Sequence, residues 1–379
     1  MINLSEPELN GNELKYLKNC INTNWLTSSG KYVKLFEEKI SEFTGSKYVV
    51  SCINGTSALH LSLQILGIKE NDEVIVPTLT FVATINSIIY NRANPIFFDV
   101  DNYFNIDQNN FETFIKKNTF LKNGYCYNKK TKRRIFAVVP VHVWGSAANL
   151  EKIKLLADKN NIKIVEDASE SLGTFYTKGK YKNKHTGTIG QIGCLSFNGN
   201  KIVTSAGGGA ILTNNKSHAE NFRHLINQAK KNKIFYIHDK VGYNLGLSNV
   251  HAAIGLAQIE KIKSYLNKRK KIRSWYKREL GHGKLYDLPS YANNNCWLNV
   301  LKLEKEYKFN ELNNLIQSLL KKNIETRPIW QLNHKQKIFN KFYSFNIKNA
   351  NKLYNKSLCL PSSSNLKLED IKYICKNII

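Results

Sequence analysis

The chain is poor in acidic residues. Against 56 lysines and arginines stand 29 aspartates and glutamates, and the formal net charge is +27. It also lacks any stretch of about 18 apolar residues that could span a bilayer. Its start, Met1-Ile2-Asn3-Leu4-Ser5-Glu6, has neither the basic nor the apolar segment of a signal peptide. A cytoplasmic protein without membrane contact is expected. The seven cysteines, among them Cys20, Cys52, Cys126, Cys194 and Cys296, show no C-x-x-C spacing and no histidine partner pattern. They read as buried free thiols in a reducing compartment, so neither disulfides nor a metal is expected. Helix-turn-helix, zinc-finger and aromatic RNA-binding signatures are missing, so a nucleic-acid-binding or regulatory role rests on charge alone. The lysines are spread along the whole chain among asparagine, isoleucine and tyrosine. Runs such as Lys129-Lys130-Thr131-Lys132-Arg133-Arg134 and Lys268-Arg269-Lys270-Lys271 therefore read as solvated loop or helix faces, and no nucleic-acid partner is expected. The positive potential suits an anionic small molecule instead.

What is present is a chain of 379 residues, 42% hydrophobic, without internal repeat or long low-complexity linker. One core usually stops growing at ~250–300 residues, so two domains are expected. Up to about residue 250, apolar bursts alternate with helical patterns, which argues for an α/β domain with a mostly parallel sheet covered by helices. Seven strands are expected, at 48–51, 73–76, 95–98, 135–140, 163–165, 194–197 and 210–213. Chemistry should collect at their carboxyl ends. The last two flank a short glycine-rich connection, which predicts an antiparallel excursion. Residues 109–128 read as a helix followed by a loop. From about Val250, apolar residues at three- and four-residue spacing predict a long helix. It continues through the basic 261–278 segment and should lie on the surface between the domains. With a strand near 297–303 and an amphipathic helix at 309–320, residues 251–379 form a smaller α+β domain after a large domain at 1–250.

Lys201 sits in the run Ser196-Phe197-Asn198-Gly199-Asn200-Lys201, ahead of Gly207-Gly208-Gly209, and the apolar Ile162-Lys163-Ile164-Val165 delivers Glu166-Asp167. A lysine on a glycine-rich turn plus a carboxylate at a strand end is the equipment of a pyridoxal phosphate (PLP) enzyme. The amine makes a Schiff base, and the carboxylate keeps the pyridine nitrogen protonated so that the ring accepts electrons. Asp167, at the end of an apolar strand, should be partly desolvated and needs a partner. That partner is a pyridinium, a nearby Lys or Arg, or a helix start. Asn54-Gly55-Thr56-Ser57 precedes the stripe Leu59, Leu63, Leu66, so Gly55, Thr56 and Ser57 open a helix. Exposed amides there can hold a phosphate, the alternative being ordinary capping by Asn54 or Thr56. His185 and His334 are suited to sugar hydroxyls or carbonyls, and Arg327 and Trp330 to a phosphate and a sugar or base face. Each has a structural alternative. His142, before Trp144-Gly145, reads as a loop residue near the cofactor.

Together with Pro77-Thr78-Leu79-Thr80-Phe81-Val82-Ala83-Thr84 and Gly242-Tyr243-Asn244, these segments resemble, in order and separation, the DegT/DnrJ/StrS family of sugar aminotransferases. The resemblance runs from Leu4-Ser5-Glu6-Pro7 to Leu360-Pro361. It implies a fold-type I PLP-dependent transferase, like aspartate aminotransferase, working as a homodimer with shared active sites. It implies that Lys201 and Asp167 are catalytic, that Phe81 lies against the cofactor ring, and that Ser196 adds a hydroxyl to the phosphate site. Asn244 is implied to reach the phosphate of the neighbouring subunit, although the usual Tyr-Arg-Met continuation is here Leu245-Gly246-Leu247. Where many relatives have a glutamine near the cofactor's phenolic oxygen, this chain has Glu170, which is expected to be protonated or hydrogen-bonded elsewhere. The implied reaction takes an amino group from L-glutamate to a nucleotide-linked 4-keto-6-deoxy sugar. Glu170-Ser171 and the loop ending in Lys201 are most similar to members aminating C-4 of a UDP-linked acetamido sugar. GDP-perosamine-forming and dTDP-sugar members are close rivals. A dehydrating branch of the family has histidine at the lysine position, and Lys201 argues against it.

Overall fold

The computed structural model describes residues 1–232 and 234–378. Its centre is an eight-stranded sheet. Seven of the strands lie where apolar bursts predict them: β1 (Tyr48–Cys52), β2 (Glu73–Pro77), β3 (Asn94–Phe98), β4 (Ile135–Val138), β5 (Lys163–Asp167), β6 (Ile192–Ser196) and β7 (Gly209–Thr213). The eighth is Ser344–Phe345, which pairs in parallel with β3 and corrects the expected count of seven. Two residues carry no readable period, and this strand exists because Phe345 packs on Phe98 and Phe114.

The spatial order is β1-β7-β6-β5-β4-β2-β3 and then Ser344–Phe345. All neighbours are parallel except β7, which runs against both β1 and β6, as the short glycine-rich connection predicts. Alternate residues feed opposite faces. Val74 and Val76 join the apolar layer on one side with Val165, while Ile75 and Ile164 join the other. Burial on both faces is why these strands read as continuous Val/Ile runs.

Three expectations need correction. Helix Gln108–Asn118 is followed by an antiparallel hairpin of Thr119–Lys122 and Tyr125–Asn128, not by a loop. The long helix breaks at Lys261 into two, Asn249–Glu260 and Ile262–Leu280. The second is not a wholly solvated face, for Arg269 is 2% and Arg273 7% exposed. Residues 265, 269, 272, 273 and 276 share one side at the helical period, and the Arg269 guanidinium donates to the carbonyls of Trp297 (2.8 Å) and Ser362 (2.7 Å).

Asn299–Lys302, Ser357–Leu360 and Arg327–Pro328 make a smaller antiparallel sheet with its own apolar cluster, which includes helix Phe309–Lys321. Residues at the start of the chain join this part: Ile2 pairs with Ile324, and the Leu4 N–H donates to Glu325. In the other direction, Ser344–Phe345 extends the large sheet. All seven cysteines are buried and unpaired, and no helix among the described residues is long and apolar enough to cross a membrane.

Candidate active site

The carboxyl ends of β5 and β6 and the start of helix Gly55–Ile65 meet around one cavity of about 360 Å3. After β6 the chain makes a loop pinned at its base: the Phe197 N–H donates to Gly208 O (2.8 Å) and the Ser205 N–H to Phe197 O (2.9 Å). Lys201 rises from that loop into the cavity. Its ammonium lies 3.3 Å from Glu170 Oε1 and 4.0 Å from the centre of the Trp297 ring. Trp297 is itself held, since its indole N–H donates to Asn200 O (2.8 Å).

β5 carries two consecutive carboxylates that point to opposite sides, as strand geometry requires. Asp167 faces the cavity. Its Oδ2 accepts from Thr84 Oγ1 (2.7 Å) and its Oδ1 from the Ser169 N–H (3.1 Å). Glu166 faces away and is fully buried. It accepts from His142 Nε2 (3.0 Å) and from the N–H groups of Gly187 (2.8 Å), Ile189 (2.6 Å) and Gly190 (2.6 Å). Burial pushes its pKa up, but the histidine and these N–H donors outweigh that and hold it below the usual value. The Ala148 N–H donates to His142 Nδ1 (3.0 Å), which leaves Nε2 as the proton-bearing nitrogen. His142 is thus a buried strut behind the site.

Glu170 differs from Glu166. It too is buried, but among the described residues its donors are only the Trp144 N–H on Oε2 (2.7 Å) and Lys201 on Oε1. Trp144 adopts φ 51, an uncommon left-handed conformation for a bulky residue, and in it turns that N–H onto Glu170. Burial pushes the Glu170 pKa up; Lys201 and the Trp144 N–H pull it down, Asp167 adds to the rise, and the net direction is upward.

The far wall is the start of helix Gly55–Ile65. Asn54 caps it, its Oδ1 accepting from the Ser57 N–H (2.8 Å). That amide is therefore occupied, and Gly55 and Thr56 face the cavity beside Ser196. A side chain at Gly55 would put its Cβ 2.9 Å from Ser196 Cβ, and one at Gly209 would come 2.5 Å from the Asn54 carbonyl carbon. Two bare backbones thus bring helix start, Ser196 and β7 together. Phe81 is 54% exposed at the cavity mouth, with its ring 6.1 Å from that of Trp330.

Of the residues singled out from sequence, Lys201, Asp167, Gly55, Thr56, Phe81, Glu170, Ser196 and Trp330 line this cavity. Others lie elsewhere. His185 is fully buried, its Nε2 accepting from the Gly173 N–H (2.9 Å), and burial pushes its pKa down to about 3. It has no face to offer a sugar. Arg327 is exposed, paired with Glu325 at 2.7 Å, and borders a separate cavity of about 180 Å3 with Tyr307, Phe309 and Tyr354. His334 is bound through Nδ1 to Thr78 Oγ1 (2.6 Å) outside the lining. Asn244 is exposed and away from this chain's own cavity. Trp297, Thr84 and Ser169 line the site without having been singled out. Thr84 stands in the quoted Pro77–Thr84 segment, and Trp297 had only its aromatic character as a signal.

An amine and a buried carboxylate open onto one cavity beside a helix start and the Ser196 hydroxyl, and these residues fit PLP. Comparison with known proteins agrees. The model of the DegT/DnrJ/EryC1/StrS aminotransferase family matches residues 7–379. A putative pyridoxal phosphate-dependent aminotransferase, EpsN, of Bacillus subtilis is 36% identical over 96% of this chain and 92% of its own. A GDP-perosamine synthase of Escherichia coli O157:H7 is 33% identical over 98% and 96%. Among solved structures, Helicobacter pylori PseC, an aminotransferase involved in the biosynthesis of pseudoaminic acid, is superposable with a TM-score of 0.87 at 25% identity, covering 100% of this chain and 98% of that one. The chain belongs to the DegT/DnrJ/EryC1/StrS aminotransferase family. It is a PLP-dependent sugar aminotransferase with the fold of type I PLP enzymes.

Proposed function

We propose that this aminotransferase moves the amino group of L-glutamate to the C-4 keto group of a nucleotide-linked 4-keto-6-deoxy sugar, with Lys201 as the lysine that holds the cofactor. The observation that carries this reading is the Lys201 amine and the Asp167 carboxylate opening onto one cavity. The bound cofactor supplies an aldehyde that condenses with amines and a ring that withdraws electrons from them. Asp167, oriented by Thr84, keeps the charge that fixes a proton on the ring nitrogen. Gly55, Thr56 and Ser196 receive the phosphate, Phe81 covers the ring, and Lys201, once freed, carries protons to and from the substrate carbon. Asn244, exposed on its own chain, completes the partner's phosphate site in a homodimer. Seven unpaired cysteines suit a reducing cytoplasm.

Two finer readings concern the acceptor. A UDP-linked acetamido sugar rests on the Asn198-Gly199-Asn200-Lys201 loop, Glu170-Ser171, and Arg327, Trp330 and His334. Of these, Asn198, Asn200, Lys201, Glu170 and Trp330 line the cavity, while Ser171 is buried and accepts from Thr186. A GDP-linked sugar is favoured by the 33% identity to a GDP-perosamine synthase, and we place it first. The test is a panel of UDP-, GDP- and dTDP-linked 4-ketosugars under saturating glutamate, with products weighed by mass spectrometry. The expected result is a kcat/KM for the GDP-sugar about tenfold or more above the others. A tenfold preference for the UDP-acetamido sugar restores that reading, and amination of none rejects the substrate class.

A further inference from the structure

We propose that Glu170 is the base that takes the proton from the Lys201 ammonium and later returns it. The inference rests on the reading that Lys201 holds the cofactor and assigns a role to the residue opposite it. The close neighbours of Lys201 Nζ are the Trp297 ring face at 4.0 Å and the Glu170 carboxylate at 3.3 Å. An ammonium has no free electron pair, so Lys201 cannot attack a carbonyl carbon until a proton leaves. Among the described residues, Glu170 Oε1 is the one acceptor within hydrogen-bond distance of Nζ. The other cavity carboxylate, Asp167, is engaged by Thr84 and Ser169.

The transfer balances within the pair. The N–H bond at Nζ breaks, its electron pair stays on nitrogen, and an O–H bond forms at Oε1. An ammonium and a carboxylate become an amine and a carboxylic acid, and the reverse step restores both. Anchoring of Oε2 by the Trp144 N–H keeps Oε1 turned toward lysine. The groups facing Glu170 all fit this use. Asp167 raises its proton affinity, Lys201 lowers it while charged and ceases to do so once neutral, and Cys359 is a buried thiol whose pKa burial raises. For a pair buried as Lys201 and Glu170 are, two neutral groups replace two charges at little cost. Glutamine in this place accepts a hydrogen bond but no proton at neutral pH.

The test uses the full-length protein freed of cofactor by dialysis with an amino donor and then mixed with pyridoxal 5′-phosphate. The rate of the visible absorbance change is followed from about pH 6 to about pH 9. Wild type should vary little, within about threefold, across neutral pH. Glu170→Gln should be about tenfold or more slower at pH ~7 and should gain about tenfold per pH unit as hydroxide takes over. A Glu170→Gln profile that superimposes on wild type overturns the proposal. So does one lowered by the same factor at every pH, which a merely positioning role produces. Borohydride fixation and peptide mapping separate this from the underlying reading: label on Lys201 in both proteins leaves that reading intact, while label on another lysine defeats it first.

Discussion

Glu166 and Glu170 stand four residues apart and are both buried, yet their surroundings differ in one respect. Glu166 has a histidine and three backbone N–H groups around its two oxygens, whereas Glu170 has one backbone N–H and the Lys201 ammonium. The donors hold the Glu166 pKa down, and their scarcity leaves that of Glu170 raised. A carboxylate with all its lone pairs engaged is a structural ion. One left short of donors beside a reactive amine is poised to change charge. β5 and the turn after it thus build a closed side that holds the fold and an open side that lines the cavity.

The sharpest way to break this division is on the open side, where effects on turnover should be largest. Lys201→Ala should lose turnover by on the order of a thousandfold or more and accept no borohydride label. Mixed with Asn244→Ala chains, it should recover activity through heterodimers that contain one complete site. Heterodimers without recovery mean that Asn244 serves no neighbouring site. Asp167→Asn keeps shape and its bond from Thr84 but loses the charge. Turnover should fall on the order of a hundredfold while the visible spectrum still shows bound cofactor. Near-normal rates in that variant mean that another carboxylate faces the ring nitrogen.

How legible these features were depended on whether their cause is local. β1 to β7 could be read because each is an apolar run buried on both faces. Lys201, Asp167 and Gly55 could be read because each sits in a short segment with its own chemistry. The 119–128 hairpin pairs with itself and carries a local signal, Asn123-Gly124 between Phe120-Leu121 and Tyr125-Cys126-Tyr127, which a reading of the segment as a loop misses. The Ser344–Phe345 strand could not be read, being two residues long and paired with a strand remote in the chain. The same holds for Trp297, brought against Lys201 by the smaller sheet. Arg269 and Arg273 were hidden in a basic run because charge counts do not tell which side of a helix is covered. His185 and Arg327 carry groups suited to a sugar, but the fold buries one and turns the other to a different cavity.

The most direct test of the closed and open sides is thermal unfolding of the cofactor-free protein against pH, comparing Glu166→Gln with Glu170→Gln. The folded pKa of Glu166 lies below the usual carboxyl value of 4.5, so its charge stabilises the fold above that pH and the contribution is lost as pH falls through the folded pKa. Glu166→Gln should cost about 3 kcal/mol at pH ~7, with a deficit that shrinks below pH ~4.5. The folded pKa of Glu170 lies above 4.5, so its ionisation opposes folding at neutral pH and that burden lifts on acidification. Glu170→Gln should therefore be as stable as wild type or more so at pH ~7, and should lose that advantage as the medium turns acid. Equal losses of stability in both variants at pH ~7, with the same pH dependence, contradict the division.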